Sequence, residues 1–411
     1  MMRYRDLLVL LALLAYLILE VFSGPLRMYL SLAGLSPLIY MPKAMLVAAT
    51  LWVLIDEPMR AGFTHRGLLG LLVVLTACVI GLLYCGAKQM AVGIWVLVPF
   101  WYGLVCAAVI RKHFHKVLRW VPVLWLCAAT GILLNYSITW PWEGFGYSVG
   151  GMEVEGSRKW WASGGIKRIA GFSRSSFDAS VQVVLLGALA TLATKSVIRK
   201  LIIWATSAVA IYLTTSKGIF LVYIALTPFV LGQTFIPRTL LQPMPALIGC
   251  LGLALPLSTL AFTFTPDKSG QATLVNALYS FYDRLNHMWP EAWRLLHEHG
   301  HFMFGRGIGG IGTAQTYVEP LRFNAADNLF MYWFVIFGWL ALPAFVLLLL
   351  ASTRLEPKRL PVDQAIFALL IATLVYGLST NIVENAAFAI SAGLAIRHLT
   401  STPGRLHQLA I

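Results

Sequence analysis

The residues best equipped for chemistry in this chain are cations. From 157 to 176 the sequence reads SRKWWASGGIKRIAGFSRSS, with Arg158, Lys159, Lys167, Arg168 and Arg174 and no acidic residue. TTSKG at 214–218 carries Lys217, and FGRGIGGIG at 304–312 sets Arg306 among glycines. Clustered Arg and Lys beside glycine turns suit a ligand bearing phosphates, which Arg can hold bidentately and exposed backbone N–H groups can cradle. Lys217 either snorkels to an interface or points into a water-filled cavity. AADN at 325–328 supplies Asp327 and Asn328. That pair is either a helix N-cap or, through Asp327, a carboxylate able to take the proton of an attacking hydroxyl.

Two formal motif matches point elsewhere and are rejected. Gly305, Gly307 and Gly310 fit GxGxxG, but no strand or βαβ unit precedes them. The glycine run is instead either an anion-facing turn with Arg306 or a flexible turn. His287, His297, His299 and His301 crowd one segment. HEHGH is not HExxH and has no Cys beside it, so a polar face is expected rather than a metal site. No metal and no cofactor is expected.

These residues must be held by membrane helices. Of 411 residues, 59% are hydrophobic and 12% charged, about half the charge of a soluble domain. Mean hydropathy is +0.76. Apolar runs recur at 7–22, 37–55, 67–84, 90–110, 120–138, 177–194, 201–215, 219–235, 244–264, 329–352, 362–379 and 384–397. They are continuously apolar, which predicts an all-α polytopic membrane protein of about twelve transmembrane helices, not a barrel. Short loops on one side hold 17 Lys and Arg against 4 on the other, so both termini are expected inside the cell. Residues 1–411 then form a single integral membrane domain with two long outer loops, 139–176 and 265–326. The first apolar run lacks a small-x-small cleavage site and is expected to be retained.

The net charge of +14 divides accordingly. The inner share reports orientation; the outer share, on loops translocated regardless of charge, needs a cause of its own. Cys78, Cys85, Cys106, Cys127 and Cys250 lie in or beside apolar runs without CxxC spacing, as inert thiols would. Within the second loop, Leu285, Met288, Trp289, Trp293 and Leu296 recur at helical spacing, Pro290 suits a first turn or a kink, and Gly300 suits a stop. A short helix over 282–299 follows, lying in the interface plane or packed on the bundle.

Read in order, Arg168-x-x-Gly171-Phe172, Ser216-Lys217-Gly218, Arg284 with Trp289 and Trp293, FGRGIGG and Asp327-Asn328 resemble the successive motifs of the O-antigen ligase and O-antigen polymerase superfamily of bacterial membrane glycosyltransferases. The resemblance covers about 160–350. It departs in two places, since that family usually has Ser-Arg-Gly at 216–218 and His-Asn at 327–328. The resemblance implies a metal-independent transfer of a glycan from undecaprenyl diphosphate to an acceptor hydroxyl on the periplasmic face of the bacterial inner membrane. It implies Arg168, Arg174, Lys217, Arg284 and Arg306 as diphosphate ligands. Asp327 would be the general base, Asn328 and Arg284 its catalytic neighbours, and His301 the reserve base. The acceptor would be lipid A–core in a ligase or a second lipid-linked glycan in a polymerase, with membrane lipids as surroundings and no nucleic acid partner. From another class, a lipid-linked glycan transporter or flippase would place charges at the centres of the spans, where Asp, Glu, Lys and Arg are nearly absent.

Overall fold

A computed structural model describes residues 3–61, 65–149, 152–157, 165–232, 236–263, 279–355 and 361–400. The apolar runs fold as helices, as they must where no water can satisfy the backbone. In chain order these are α1 (Tyr4–Val21), α2 (Ser23–Leu32), α3 (Met41–Ala61), α4 (His65–Val105), α5 (Ala107–Lys112), α6 (Phe114–Ser137), α7 (Ser176–Ala193), α8 (Val197–Leu213) and α9 (Lys217–Gly232). Helices Met244–Ser258, Trp289–His299, Leu329–Phe337, Ala341–Ser352, Pro361–Gly377 and Ala386–Thr400 follow. Six helical stretches among the described residues are long and apolar enough to cross a membrane, or seven if the bent pair α1–α2 is one span. The chain is therefore a helical membrane protein. The twelve crossings expected from the apolar runs would also need α4 to count twice and four shorter helices to cross.

Three features depart from a plain bundle. Helix α2 turns 88° from α1. Helix α4 carries two of the expected spans and breaks at Gly86, whose φ of 78° and ψ of 166° are non-helical. Without that break its 38 apolar residues would stretch about 57 Å, nearly twice the ~30 Å hydrocarbon core. Finally, the first long loop adds one short hairpin to the otherwise all-α chain. Gly146–Val149 pairs antiparallel with Met152–Glu155, in the register Gly146↔Glu155 to Val149↔Met152. The sequence carries the signal for this hairpin, a Gly150-Gly151 pair between short runs with β-formers.

The second loop decides between the two alternatives for its helix. Residues Arg284–Met288 form a π-turn that runs into the Trp289–His299 helix. That helix is packed on the bundle. Trp289, Ala292 and Leu296 are buried, and Trp293 donates its indole N–H to the Pro256 carbonyl at 3.0 Å. Its apolar stripe therefore seats the loop on the span Met244–Ser258, and this fixes where Arg284 can stand.

The span 329–352 is also broken, between Phe337 and Ala341. A helix that stops leaves its last carbonyls without partners. Here Val335 O accepts from Arg306 N at 2.7 Å and Ile336 O from Gly307 N at 3.0 Å. The glycine run 305–310 thus enters the bundle, and its far side lies against both arms of α4. A methyl group at Gly307 would collide with the Ala77 and Gly81 backbone, and one at Gly309 with the Gln89 backbone. The glycines are small for close packing, not to cradle an anion.

Candidate functional site

The turn before the Leu329–Phe337 helix is the most tightly specified loop at this end of the bundle. Ala326 and Asp327 adopt φ of 63° and 40°, left-handed values that non-glycine residues avoid. Buried amides hold them there. Asn324 accepts from Ala326 N at 2.7 Å and donates to Met288 O at 2.8 Å, while Gln315 accepts from Asn324 N at 3.1 Å. Trp289 donates its indole N–H to Ala326 O at 3.0 Å. The result is that Asp327 projects toward Arg284, and their side chains meet at 2.8 Å. Burial pushes the Asp327 carboxyl above its ordinary 3.8, with Asp283 adding to the rise and the Arg284 guanidinium only partly offsetting it. Arg284 also donates to Ser280 O at 2.6 Å and to the Ser280 hydroxyl. Its Nε is buried and has no hydrogen-bond partner.

Among the described residues only one other non-glycine residue is left-handed: Thr215, φ 55°, two places before Lys217. Its buried Oγ1 has no hydrogen-bond partner. Lys217 is exposed at the start of α9, and Gly218 lies against the Tyr376 ring. Tyr376 in turn feels the charges of Asp327, Arg284 and Asp178. The end of the Pro361–Gly377 helix is therefore where the TTSKG turn, the Asp327 turn and the start of α7 converge.

The first long loop contributes through the end of α6. Gly171 N donates to the Asn135 side chain at 3.1 Å, Gly171 O accepts from the Trp142 indole at 3.2 Å, and Phe172 packs on Phe22, Trp140 and Trp142. This anchors Arg168, whose guanidinium lies over the Phe177 ring at 5.2 Å. Its Nε is buried without a hydrogen-bond partner. The remaining cations of the 157–176 cluster separate. Lys167 is bound to Glu143 at 2.7 Å. Burial would raise the Glu143 carboxyl, but Lys167, Asn135 and the Trp140 N–H outweigh it and hold it below its ordinary value. Arg174 pairs with Asp178 at 3.0 Å, and that carboxylate holds its guanidinium further protonated. Arg158 and Lys159 lie outside the described residues.

Three expectations are corrected. Arg306 is not available to a ligand: it is 1% exposed and all its donor groups are taken. Nε binds His299 O at 2.9 Å, one terminal nitrogen binds Gly310 O at 2.7 Å, and the other binds both Glu319 oxygens at 3.2 and 3.0 Å. Asn328 is the helix cap and nothing more. Its oxygen accepts from Phe330 N and Met331 N, and its NH₂ donates to Gly252 O and Leu378 O, so its amide is fully used. His301 belongs to the turn His301–Gly305, which adjoins the far end of the Leu329–Phe337 helix. It stands about one helix length, ~13 Å, from the Asp327 turn. Among the described residues no three His, Cys, Asp or Glu side chains gather as metal ligands would.

A second charged group escaped the sequence reading. Glu20, Arg27, Lys43, Arg174 and Asp178 interact at the end of α1, with Lys43 also feeling Glu384. Asp178 is anchored by Ser175 at 2.7 Å and Asn385 at 3.2 Å. Glu384 accepts from Thr313 N at 2.9 Å and from its hydroxyl at 2.6 Å. Burial nevertheless leaves the Glu384 carboxyl raised, Thr313 offsetting it only in part. In sequence Asp178 reads as the closing residue of a capping box opened by Ser175 three positions earlier. Glu20 had a fainter signal, a carboxylate ending an apolar run.

The arrangement is thus a polar recess at one end of an apolar bundle. One half-buried carboxylate, Asp327, pairs with Arg284, and Arg284 and Arg168 each keep an unmatched guanidinium N–H. The chain matches no family model, no curated protein and no solved structure.

Proposed function

We propose that the chain is a glycosyltransferase of the O-antigen ligase type, acting at the periplasmic face of the bacterial inner membrane with both termini cytoplasmic and about twelve crossings. It takes a glycan from undecaprenyl diphosphate and transfers it to a hydroxyl of lipid A–core. One observation carries this reading. Among the described residues, the only non-glycine ones held in left-handed backbone, Thr215, Ala326 and Asp327, lie in the two turns that present Lys217 and Asp327. Strain of that kind persists where the surroundings impose it, and it concentrates at working sites.

In this reading the acceptor oxygen attacks the anomeric carbon as the bond from that carbon to the diphosphate oxygen breaks. The acceptor proton passes to Asp327, and the bonding pair leaves with the diphosphate. Lys217, Arg168 and Arg284 stabilise the departing charge, and Arg174 supports them through Asp178. Burial raises the Asp327 carboxyl above its ordinary value, the direction that strengthens a general base. Its pairing with Arg284 lets the guanidinium turn to the diphosphate as Asp327 takes up the proton.

A second reading, the polymerase that joins lipid-linked repeats, is favoured by the cations Arg27, Lys43 and Arg174 grouped with Glu20 and Asp178, where a second diphosphate would sit. Incubating the purified protein with a lipid-linked oligosaccharide and lipid A–core separates the two. Capped acceptor supports the ligase, and a ladder of repeats without acceptor supports the polymerase. Neither product, from donor already on the accessible face, excludes both and leaves transport. Direct displacement further requires that donor and product carry opposite anomers.

A further inference from the structure

Two adjoining cavities run between α1 and α6, apart from the recess. The larger, about 160 Å³, is walled by leucines of α1 and by Val121 and Leu124, with Lys116 and Trp120 at its rim. The second, about 80 Å³, shares Leu13, Leu17, Val117 and Val121 with it and ends on Glu20 and Gln182. From Leu7 to Glu20 the crevice follows α1 for about 20 Å, a little more than the ~15 Å of one leaflet's hydrocarbon. Leu7, Leu11 and Trp120 are 39%, 47% and 51% exposed, so it opens sideways to lipid.

Its two ends differ in charge. Lys116 stands at the open end, and Arg119 follows one helical turn later on the same side of α6. Elsewhere in this basic run Lys112 and His113 are turned onto Asp6, at 3.4 and 3.1 Å. The closed end presents the Glu20 carboxyl. A phosphate is drawn to Lys116 and Arg119, so a lipid lies with its headgroup at that end, in the leaflet where α1 begins. Basic residues on that face also report orientation, but orientation does not require an apolar crevice beside them.

We propose that this crevice binds an anionic phospholipid of that leaflet, one acyl chain lying between α1 and α6 and the headgroup phosphate resting on Lys116 and Arg119. The proposal depends only on the chain being a membrane protein, not on the transfer reaction. Native mass spectrometry of the full chain, released from nanodiscs of phosphatidylglycerol or of phosphatidylcholine, tests it. One phosphatidylglycerol should stay bound where phosphatidylcholine is lost. Joint Lys116→Gln and Arg119→Gln should weaken retention about thirtyfold, whereas Lys116→Arg with Arg119→Lys keeps it. Leu14→Trp fills the crevice without touching a charge and should abolish retention, while Arg284→Ala, at the other end of the bundle, leaves it unchanged. Equal retention of the two lipids, or retention indifferent to both Leu14→Trp and the Gln pair, overturns the proposal. So does displacement by a polyprenyl phosphate at lower concentration than by phosphatidylglycerol.

Discussion

Arg306 and Arg284 lie in the same long loop, each facing one carboxylate, and they do opposite things. Arg306 spends every donor group on fixed partners: two backbone carbonyls and both oxygens of Glu319. Arg284 meets Asp327 with one terminal nitrogen and Ser280 with the other, and keeps a buried Nε unmatched. The first guanidinium is a staple that ties the glycine run to the Gln315–Glu319 segment. The second is an incomplete coordination shell. What separates them is not charge but depth and how many hydrogen bonds are left to make.

The sharpest way to break this comparison is to truncate both. Arg306→Ala leaves the His299 and Gly310 carbonyls unmatched and takes one of its partners from Glu319, which keeps Arg322 and Gln89; it should cost about 2–4 kcal/mol, read as loss of folded protein in detergent thermal unfolding. Arg284→Ala should cost no more than about 1–2 kcal/mol. The reverse order of stability would invert the assignment. Next in size is the reaction itself. Arg284→Ala and Asp327→Asn should each slow glycan transfer by about 10²–10³-fold in the purified assay, with folding retained. Wild-type rates in both would remove the pair from the site.

Acid should divide the two carboxylates. Burial opposes ionisation of Glu319, but hydrogen bonds and charge from Arg322, Arg306 and Gln89 prevail and hold its carboxyl down at about 2, against an ordinary 4.5. A depressed folded value gives stability that is present above 4.5 and lost as pH falls toward 2. Glu319→Gln should flatten that loss. Asp327 is shifted the other way, so its share of stability grows as pH falls, while the ionised base disappears first. The transfer rate should therefore show an acid limb lying above pH 3.8 that Asp327→Asn removes. A limb unchanged in that variant belongs to another group. The smallest effect expected is Ala326→Gly, which relieves a left-handed backbone and should raise stability by about 1 kcal/mol. Slower transfer in this more stable variant would tie the strain to function.

Much of the scaffold was legible because it depends on local pattern. The apolar runs mark helices, Pro290 and Gly300 bracket the helix that follows Arg284, and the stripe of Trp289 and Trp293 marks its buried face. The sequence also brought Arg284, Trp289 and Asp327 into one account. It could not rank the arginines, since Arg306 is satisfied by carbonyls four and seven residues away and by a carboxylate thirteen away, and no periodicity encodes those partners. It overvalued Asn328 for a related reason: a cap and a catalytic amide look alike until the NH₂ is traced to Gly252 and Leu378. Asn324 and Gln315 were passed over because buried amides leave no pattern. Helix α2 was missed because a ten-residue segment containing Gly24, Pro25 and Arg27 does not look like a span.

The break at Gly86 has a consequence for how the molecule is made. The two arms of α4 form a slot lined by the backbone of Ala77, Gly81 and Gln89, and its occupant, Gly307–Gly309, is synthesised more than 200 residues later. Through most of translation and membrane insertion that slot stands open, its narrow backbone-lined walls facing lipid or each other. Contacts of such sequence separation form slowly. The final closure of the bundle therefore waits for the last third of the chain, and chains ending before residue 300 should carry a half-made pair of arms as their point of entry for quality-control proteases.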